Sequence, residues 1–273
     1  MIRFGLRVGL PVMVVIALLA AVITFVQPTP PQAAADKKTG IVLMHGLGDT
    51  PDAKSSIGKF AKEVESFGFA VVAPEMPWSK KRGLDKSFDD TMAEIDKAVA
   101  ELKAKGVTRI AIGGQDLGAN AAVAYGARHS ELVGVLAIKP SVTPERPEFQ
   151  KETNDAIKRA KEMVAGGKGD DRADFMDGVN GKKGLLKTTA RTYVSWYDPE
   201  GPAVLPKNAA RLNANTSFMW MVRDTDSIGA LGMDYAFAKA PANPHNVYKV
   251  ISGFHTVLGS KGANEVATWL KSL

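Results

Sequence analysis

A chain of 273 residues with 45% hydrophobic and 23% charged side chains has the size and composition of one globular domain, which excludes a disordered chain or a repeat array. The lack of cysteine excludes disulfides, a thiolate metal site and a lipid-modified cysteine. The net charge is +6, but the basic residues are scattered, which predicts a solvated surface and no nucleic-acid partner.

Residues 1–35 differ in kind from the rest of the chain. Arg3 and Arg7 precede an uncharged, largely apolar run over 8–26, and small residues at 33–35 offer a cleavage site. This order predicts a secretory signal peptide. The apolar run also has about the 20 residues that span a bilayer, so an uncleaved anchor in the inner membrane is the alternative. Both interpretations predict an exported protein, periplasmic or extracellular, that meets a membrane only through this segment if it is not cleaved.

Strand and helix patterns alternate in the first half of the remaining chain. Apolar runs predict strands over 41–44, 69–74, 108–112 and 132–138, and helical spacing predicts helices over 56–67, 88–105 and 117–128. Each strand is apolar throughout, which is typical of a parallel sheet covered by helices on both faces. The predicted fold class is therefore α/β.

The alternation stops after residue 140. Residues 141–212 are polar and lysine-rich with one amphipathic helix, and we expect them to form a cap inserted over the sheet. The pattern then resumes with strands over 217–222 and 247–251 and helices near 229–239 and 264–273. The predicted organisation is a leader, residues 1–35, and one domain, residues 36–273, that carries this cap.

The sequence GGQDLGAN lies where a predicted strand becomes a helix. Gly114 and Gly118 stand two residues before and after Asp116, which is the spacing of a nucleophile elbow. The glycines let the chain turn sharply without Cβ clashes and hold residue 116 exposed and strained. The N–H of Leu117 then lies at a helix N-terminus, aimed at an anion. The simpler interpretation is a glycine-rich turn whose aspartate caps the helix.

A histidine and two acids follow later strands. His255 comes just after the last predicted strand, and Asp224 and Asp226 follow the strand over 217–222. Asp226 lies nearer the next helix and is the preferred partner for His255, with Asp224 as the alternative, although both acids are also common turn residues. Nucleophile, acid and histidine thus occur in the order described for α/β-hydrolases. The sequence has no HExxH motif or histidine cluster, so no metal or other cofactor is predicted.

From residue 41 onward the chain resembles the α/β-hydrolase superfamily, and most of all its small exported bacterial esterase-like members, which carry serine at the elbow. HGLGD, residues 45–49, is similar to their oxyanion loop. The resemblance implies an α/β-hydrolase fold and an oxyanion hole formed by the N–H groups of Leu47 and Leu117. It also implies a substrate pocket near this loop, and its predicted residues are His45, Gln115 and Trp78.

Aspartate at the elbow is instead similar to haloalkane dehalogenases and epoxide hydrolases. A carboxylate that attacks an ester would form a high-energy anhydride, whereas attack on an sp3 carbon bearing halide or epoxide oxygen forms an ordinary alkyl ester. The resemblance implies that His255, held by Asp226, activates the water that hydrolyses this ester of a small apolar substrate. Leu117 replaces the tryptophan that follows the nucleophile in haloalkane dehalogenases, and Tyr193 and Tyr197 lie in the region of the epoxide-hydrolase cap tyrosines.

The alternative is an esterase-derived scaffold in which Asp116 has replaced serine. In that case the carboxylate would pair with His255, and the protein would bind a ligand with little or no catalysis.

Overall fold

The computed structural model describes Met1 and residues 38–178, 184–252 and 257–273. Almost all of the predicted leader, and the predicted catalytic residue His255, therefore lie outside the described residues. From Asp36 to Leu273 the chain forms one compact unit. Within the described ranges, no helix combines the length and the apolar character needed to cross a membrane.

Six strands form the central sheet. They are β1 (Thr39–Met44), β2 (Ala70–Val72), β3 (Arg109–Gln115), β4 (Gly134–Ile138), β7 (Ser217–Val222) and β8 (Val247–Val250). Their order is β2-β1-β3-β4-β7-β8, and every neighbouring pair is parallel. The predicted α/β class with a parallel sheet is confirmed. Because the order reverses direction between β1 and β3, their carboxyl ends form the crevice in which such sheets bind ligands.

Seven helices are described. They are α1 (Ser56–Ser66), α2 (Phe88–Ala104), α3 (Leu117–Gly126), α4 (Pro147–Ala165), α5 (Ala190–Tyr197), α6 (Leu205–Ala209) and α7 (Ser260–Ser272). Ile41 and Leu43 of β1 belong to the core shared with α1 and α7, while Val42 and Met44 belong to the core shared with α2 and α3. A strand that alternates sides in this way must be apolar at every position, which explains the continuous apolar runs.

The cap, residues 141–212, contains more regular structure than its sequence indicates. In addition to the expected amphipathic helix α4, it forms an antiparallel hairpin of β5 (Arg172–Met176) and β6 (Leu185–Thr189), followed by α5 and α6. Each hairpin strand has one fully buried position, Phe175 or Thr188, so neither strand shows a clear hydrophobic alternation. The hairpin was not predicted because each strand has only five residues and one fully buried position, too short a pattern to stand out from a polar segment.

The predicted helix near 229–239 is wrong. The segment instead forms two short 3-10 turns, Gly229–Leu231 and Phe237–Lys239. Gly232 has φ +69°, a left-handed conformation that ends the first turn. A Cβ at Gly229 would lie 2.0 Å from the carbonyl oxygen of Arg223, so this turn packs tightly against the end of β7. The apolar spacing of the segment therefore reflects packing of short turns and not one amphipathic helix.

Candidate active site

The chain turns sharply at Asp116, between β3 and α3. Asp116 has φ 57° and ψ −122°, a conformation that is strained for a residue with a side chain. A Cβ at Gly114 would lie 2.5 Å from the carbonyl oxygen of Gly118, and a Cβ at Gly118 would lie 2.7 Å from the carbonyl oxygens of Met44 and His45. Only glycine fits at both positions, because the turn packs against the end of β1.

The Asp116 carboxylate is held by backbone N–H groups. β1 and β3 are in register, with Met44 paired to Gly114, so their carboxyl ends lie level with each other. The N–H of Leu47 donates to Asp116 Oδ2 at 2.8 Å, and the N–H of Leu117 lies close enough to lower the pKa of this carboxyl. The two N–H groups expected to form an oxyanion hole therefore both lie beside Asp116 itself.

The environment of Asp116 has opposing effects on its charge. Burial raises the pKa of the Asp116 carboxyl above its ordinary value, and this desolvation is the largest effect. The Ser141 hydroxyl, the N–H groups of Leu47 and Leu117, and the Lys139 ammonium each lower the same pKa. The Ser141 Oγ lacks a partner within hydrogen-bond geometry among the described residues, so it acts on Asp116 through proximity. The carboxylate is thus desolvated but surrounded by groups that favour its charged form.

His45 is buried beneath the loop that carries Leu47. Its Nδ1 donates to the carbonyl oxygen of Gly46 at 2.8 Å, and its Nε2 accepts from the N–H of Met76 at 3.1 Å. Burial lowers the pKa of His45, which favours this neutral tautomer. Trp78 donates its indole N–H to the carbonyl oxygen of His45 at 2.8 Å. Both ring nitrogens of His45 are thus used by the backbone, and His45 shapes the loop while it lines neither of the cavities beside Asp116.

Asp116 lies in the wall of two cavities. The larger cavity has a volume of about 780 Å³, and its walls include Gln115, Asp116, Lys139, Ser141, Thr143, Arg146 and Phe149. The smaller cavity has a volume of about 510 Å³, and its walls include Leu47, Trp78, Lys80, Asp116, Asp177 and Leu186. Both volumes fall in the range of small-molecule sites. The larger cavity carries charged side chains, which differs from the apolar substrate pocket that the sequence resemblance implies.

The two late acids have different surroundings. Asp226 is buried, with Oδ1 at 3.3 Å from the Lys139 Nζ and Oδ2 accepting from the N–H of Arg223 at 3.2 Å. Asp224 is exposed and lines neither cavity. His255 lies outside the described residues, so its predicted contact with Asp226 stays a prediction. Lys139, which pairs with Asp226, lines the same cavity as Asp116 and so links Asp226 to the site.

Aromatic side chains of the cap stack on one another near the site. Tyr193 and Tyr197 stack with ring centroids 4.5 Å apart. The Tyr193 hydroxyl donates to the carbonyl oxygen of Met176 at 2.6 Å, whereas the Tyr197 hydroxyl is buried with no hydrogen-bond partner among the described residues. Burial raises the pKa of Tyr197 well above its ordinary value, and Asp116 is among the nearby charges that add to this effect.

Comparison with known protein structures identifies the fold of this chain. No protein-family model and no curated protein sequence matches the chain. A monoacylglycerol lipase from Paleococcus ferrophilus matches with a TM-score of 0.61 and 20% identity, over 86% of this chain and 96% of that chain. A thermostable carboxyl esterase from Bacillus coagulans matches with a TM-score of 0.62 and 13% identity, over 87% and 91% of the two chains. A soluble variant of monoglyceride lipase from Saccharomyces cerevisiae matches with a TM-score of 0.59 and 17% identity, over 89% of each chain.

The chain has the α/β-hydrolase fold. At identities of 13–20% the likeness defines the arrangement of the backbone and not the reaction.

Within this α/β-hydrolase fold, five of the predicted site residues come together around the end of β3. They are Asp116, Leu47, Leu117, Gln115 and Trp78. Sequence reasoning missed Lys139. The signal available was a lysine directly after the buried strand β4, a position that in a parallel sheet faces the ligand crevice.

Proposed function

We propose that this protein is a hydrolase of small organic molecules in which Asp116 attacks carbon. The observation that carries the proposal is the hydrogen bond from the Leu47 N–H to Asp116 Oδ2. In ester hydrolysis these N–H donors bind the substrate's carbonyl oxygen as it becomes negative. Here Asp116 Oδ2 already accepts from the N–H of Leu47, so an ester substrate would not find this donor of an oxyanion hole free. Attack of the carboxylate on an sp3 carbon needs no such hole in its first step.

The same donors suit a second step. When the free oxygen of Asp116 bonds to carbon, Asp116 becomes an alkyl ester whose carbonyl oxygen is Oδ2. Water that then attacks the carboxyl carbon of Asp116 places negative charge on Oδ2, which already accepts from the N–H of Leu47, with the N–H of Leu117 near the same carboxyl. In this proposal His255 activates the water, and Asp226 holds and orients His255. The hole is thus built around the enzyme's own intermediate.

The donors near the site favour an oxygen leaving group over a halide. Haloalkane dehalogenases bind the leaving halide through a tryptophan N–H, whereas here the indole N–H groups of Trp78 and Trp196 donate to the backbone carbonyls of His45 and Lys86. The indole N–H of Trp220 has no partner among the described residues, but Trp220 lines neither cavity, and Leu117 has no donor in its side chain. These contacts support an epoxide-type substrate.

A second candidate function is ligand binding without turnover. Burial raises the pKa of Asp116, and a protonated carboxyl is a poor nucleophile. In that case the two cavities would bind a small ligand on a scaffold that retains the elbow and has lost the reaction.

Isotope labelling in one turnover tests the proposal. Full-length protein in excess is mixed with a terminal epoxide, a primary bromoalkane or a 4-nitrophenyl ester in H2(18)O. Because water attacks the carboxyl carbon of Asp116, we expect ¹⁸O in the peptide that contains Asp116 and not in the first product released. Asp116→Ala should abolish turnover, whereas Asp155→Ala, which removes an exposed carboxylate that lines neither cavity, should not change it.

Two results would contradict nucleophilic attack by Asp116. The first is ¹⁸O in the product and none in the enzyme, which indicates direct attack by water on the substrate. The second is ester hydrolysis that appears only in Asp116→Ser, together with no turnover of any substrate by the parent protein. That pattern would favour the ligand-binding scaffold.

Export is a separate proposal that rests on residues 1–35. Expression of the full chain in a bacterial host followed by fractionation tests it, with N-terminal sequencing of the periplasmic protein. A mature N-terminus at Asp36 would support cleavage after the small residues at 33–35, and recovery in the inner membrane with an intact N-terminus would support the anchor.

A further inference from the structure

Two neighbouring strand ends carry residues with unusual backbone conformations. Among the described residues, three non-glycine residues have positive φ: Asp116 at 57°, Lys139 at 47° and Leu84 at 61°. The first two are adjacent in space, because the N–H of Asp116 donates to the carbonyl oxygen of Ile138, the residue before Lys139, at 3.0 Å. Strained residues persist only where the surrounding structure enforces them, and they cluster at functional sites. Lys139 therefore shares the conformational signature of the proposed nucleophile.

The Lys139 side chain faces the reaction space. Lys139 and Asp116 both line the cavity of about 780 Å³, and the Lys139 ammonium lies close enough to lower the pKa of Asp116. The Lys139 Nζ lies 3.3 Å from Asp226 Oδ1, while 43% of its side chain remains exposed. Asp226 thus holds the ammonium, while the Lys139 side chain lines the cavity and stays partly exposed.

The other charged groups of this cavity are less suitable for contact with a leaving group. Arg146 pairs with Glu148 at 2.8 Å and lies over the ring of Tyr235. Glu152 is the remaining acid on the cavity wall, and Arg223 lies 3.9 Å from Asp226 on the other side of the ion pair. Of the cations on the cavity wall, Lys139 is the one that follows the strand beside Asp116.

The cap tyrosines are poor alternatives as proton donors in the described structure. Tyr193 already donates its hydroxyl proton to the carbonyl oxygen of Met176, and the Tyr197 hydroxyl is buried. Neither residue lines the two cavities that contain Asp116.

We propose that Lys139 is a catalytic residue that stabilises and protonates the leaving oxygen when Asp116 attacks carbon. This role rests on the proposed function. As the bond between Asp116 and carbon forms, the carbon–oxygen bond of the epoxide breaks and its electron pair goes to oxygen. A proton moves from the Lys139 Nζ to this oxygen and gives a hydroxyl. When water attacks the ester, one of its protons goes to the departing alcohol and the other restores the Lys139 ammonium.

The test compares two leaving groups on the same carbon skeleton. A terminal epoxide leaves as an alkoxide and needs a proton, whereas the corresponding primary bromide leaves as bromide and needs none. Full-length protein is quenched at successive times, and the rate of alkylation of Asp116 is read from the mass of its peptide. We expect Lys139→Met to slow alkylation by the epoxide roughly 100-fold or more and alkylation by the bromide less than about tenfold.

Lys139→Arg removes the concern that Lys139→Met fails to fold with an unpaired Asp226. Arginine retains the positive charge for Asp226 but is a much weaker proton donor, so the selective loss with the epoxide should remain. Lys161→Met is the matched control, because Lys161 also forms an ion pair, 2.8 Å from Asp198, with 49% of its side chain exposed, and lines neither cavity. It should match the wild type with both substrates.

The outcomes separate this proposal from the proposed function. Equal loss with the epoxide and the bromide would make Lys139 a structural residue and overturn its role as a proton donor. Wild-type rates in Lys139→Arg, or a large epoxide-selective loss in Tyr197→Phe instead, would also overturn it. If the wild type is alkylated by neither compound, the proposed function itself fails and the role of Lys139 fails with it.

Discussion

The carboxyl ends of β1 and β3 and the cap hold the candidate site in different ways. At the strand ends, backbone N–H groups contact Asp116 and glycines permit close approach of main chains. In the cap, stacked aromatic rings carry the packing, with Phe175 and Tyr193 centroids 4.6 Å apart and Tyr193 and Tyr197 centroids 4.5 Å apart. The Asp116 carboxylate is thus positioned by backbone geometry, which side-chain substitutions alter little. The cap is held together by side chains, and their substitution can change it without loss of the fold.

Trp196→Ala tests how strongly the cap depends on its aromatic side chains. Trp196 is fully buried and contacts Trp78 and Phe88, with ring centroids 5.6 Å and 4.8 Å away. We expect the free energy of unfolding to fall by about 3–5 kcal/mol, because a large cavity replaces the ring. Urea denaturation measures the change. A loss below about 1 kcal/mol would mean that the cap is held by contacts other than this aromatic cluster.

Gly118→Ala tests the close backbone approach at the strand ends. The added Cβ would lie 2.7 Å from two backbone carbonyl oxygens, which cannot move as a flexible side chain can. We expect a loss of about 1–3 kcal/mol in the free energy of unfolding, and weaker activity because the elbow shifts. Gly166→Ala, in the cap, is the matched control, because its nearest contact would be at 3.3 Å and its φ is −83°. It should stay within about 0.5 kcal/mol of the wild type in urea denaturation.

Asp116→Asn tests whether the site carries a cost in stability that depends on pH. Burial raises the pKa of Asp116 in the folded state, so the folded protein binds a proton that the unfolded chain has already released. The wild type should therefore lose stability as the pH rises from the ordinary aspartate pKa through the raised one. Asp116→Asn lacks this loss and should be the more stable protein at neutral pH. Urea denaturation between pH 4 and pH 8 measures the difference, and a difference that shrinks as pH rises would contradict it.

Tyr197→Phe and Tyr193→Phe should change the stability of the folded protein by small amounts and in opposite directions, although the two rings stack on each other. The Tyr197 hydroxyl is buried with no partner in the part of the chain that the structure describes, so its removal should stabilise the protein by up to about 1 kcal/mol. The Tyr193 hydroxyl donates to the carbonyl oxygen of Met176, so its removal should destabilise by about 1 kcal/mol. Thermal unfolding of both variants measures the signs. Destabilisation by Tyr197→Phe would indicate a partner that the described residues do not include.

Local patterns predict the core of this fold but not the cap. The strands β1 and β7 occur within two residues of their predicted bounds, because a parallel strand covered on both faces must be apolar along its whole length. The hairpin of β5 and β6 was missed, because each strand is only five residues long with one fully buried position, which gives too little periodicity to recognise. The helix near 229–239 was wrong, because spacing alone does not reveal that Gly232 takes a left-handed conformation.

The sequence by itself determined the turn at Asp116, since the spacing of Gly114 and Gly118 acts over a few residues and leaves the chain one way to bend. It also placed the N–H of Leu117 at a helix start, while the N–H of Leu47 was implied by the resemblance to α/β-hydrolases. Only the tertiary structure decided that the N–H of Leu47 donates to Asp116 itself and that Lys139 lies beside it. That outcome depends on the order of β1, β3, β4 and β7 in the sheet. The order arises from pairing between distant segments, which no local spacing encodes.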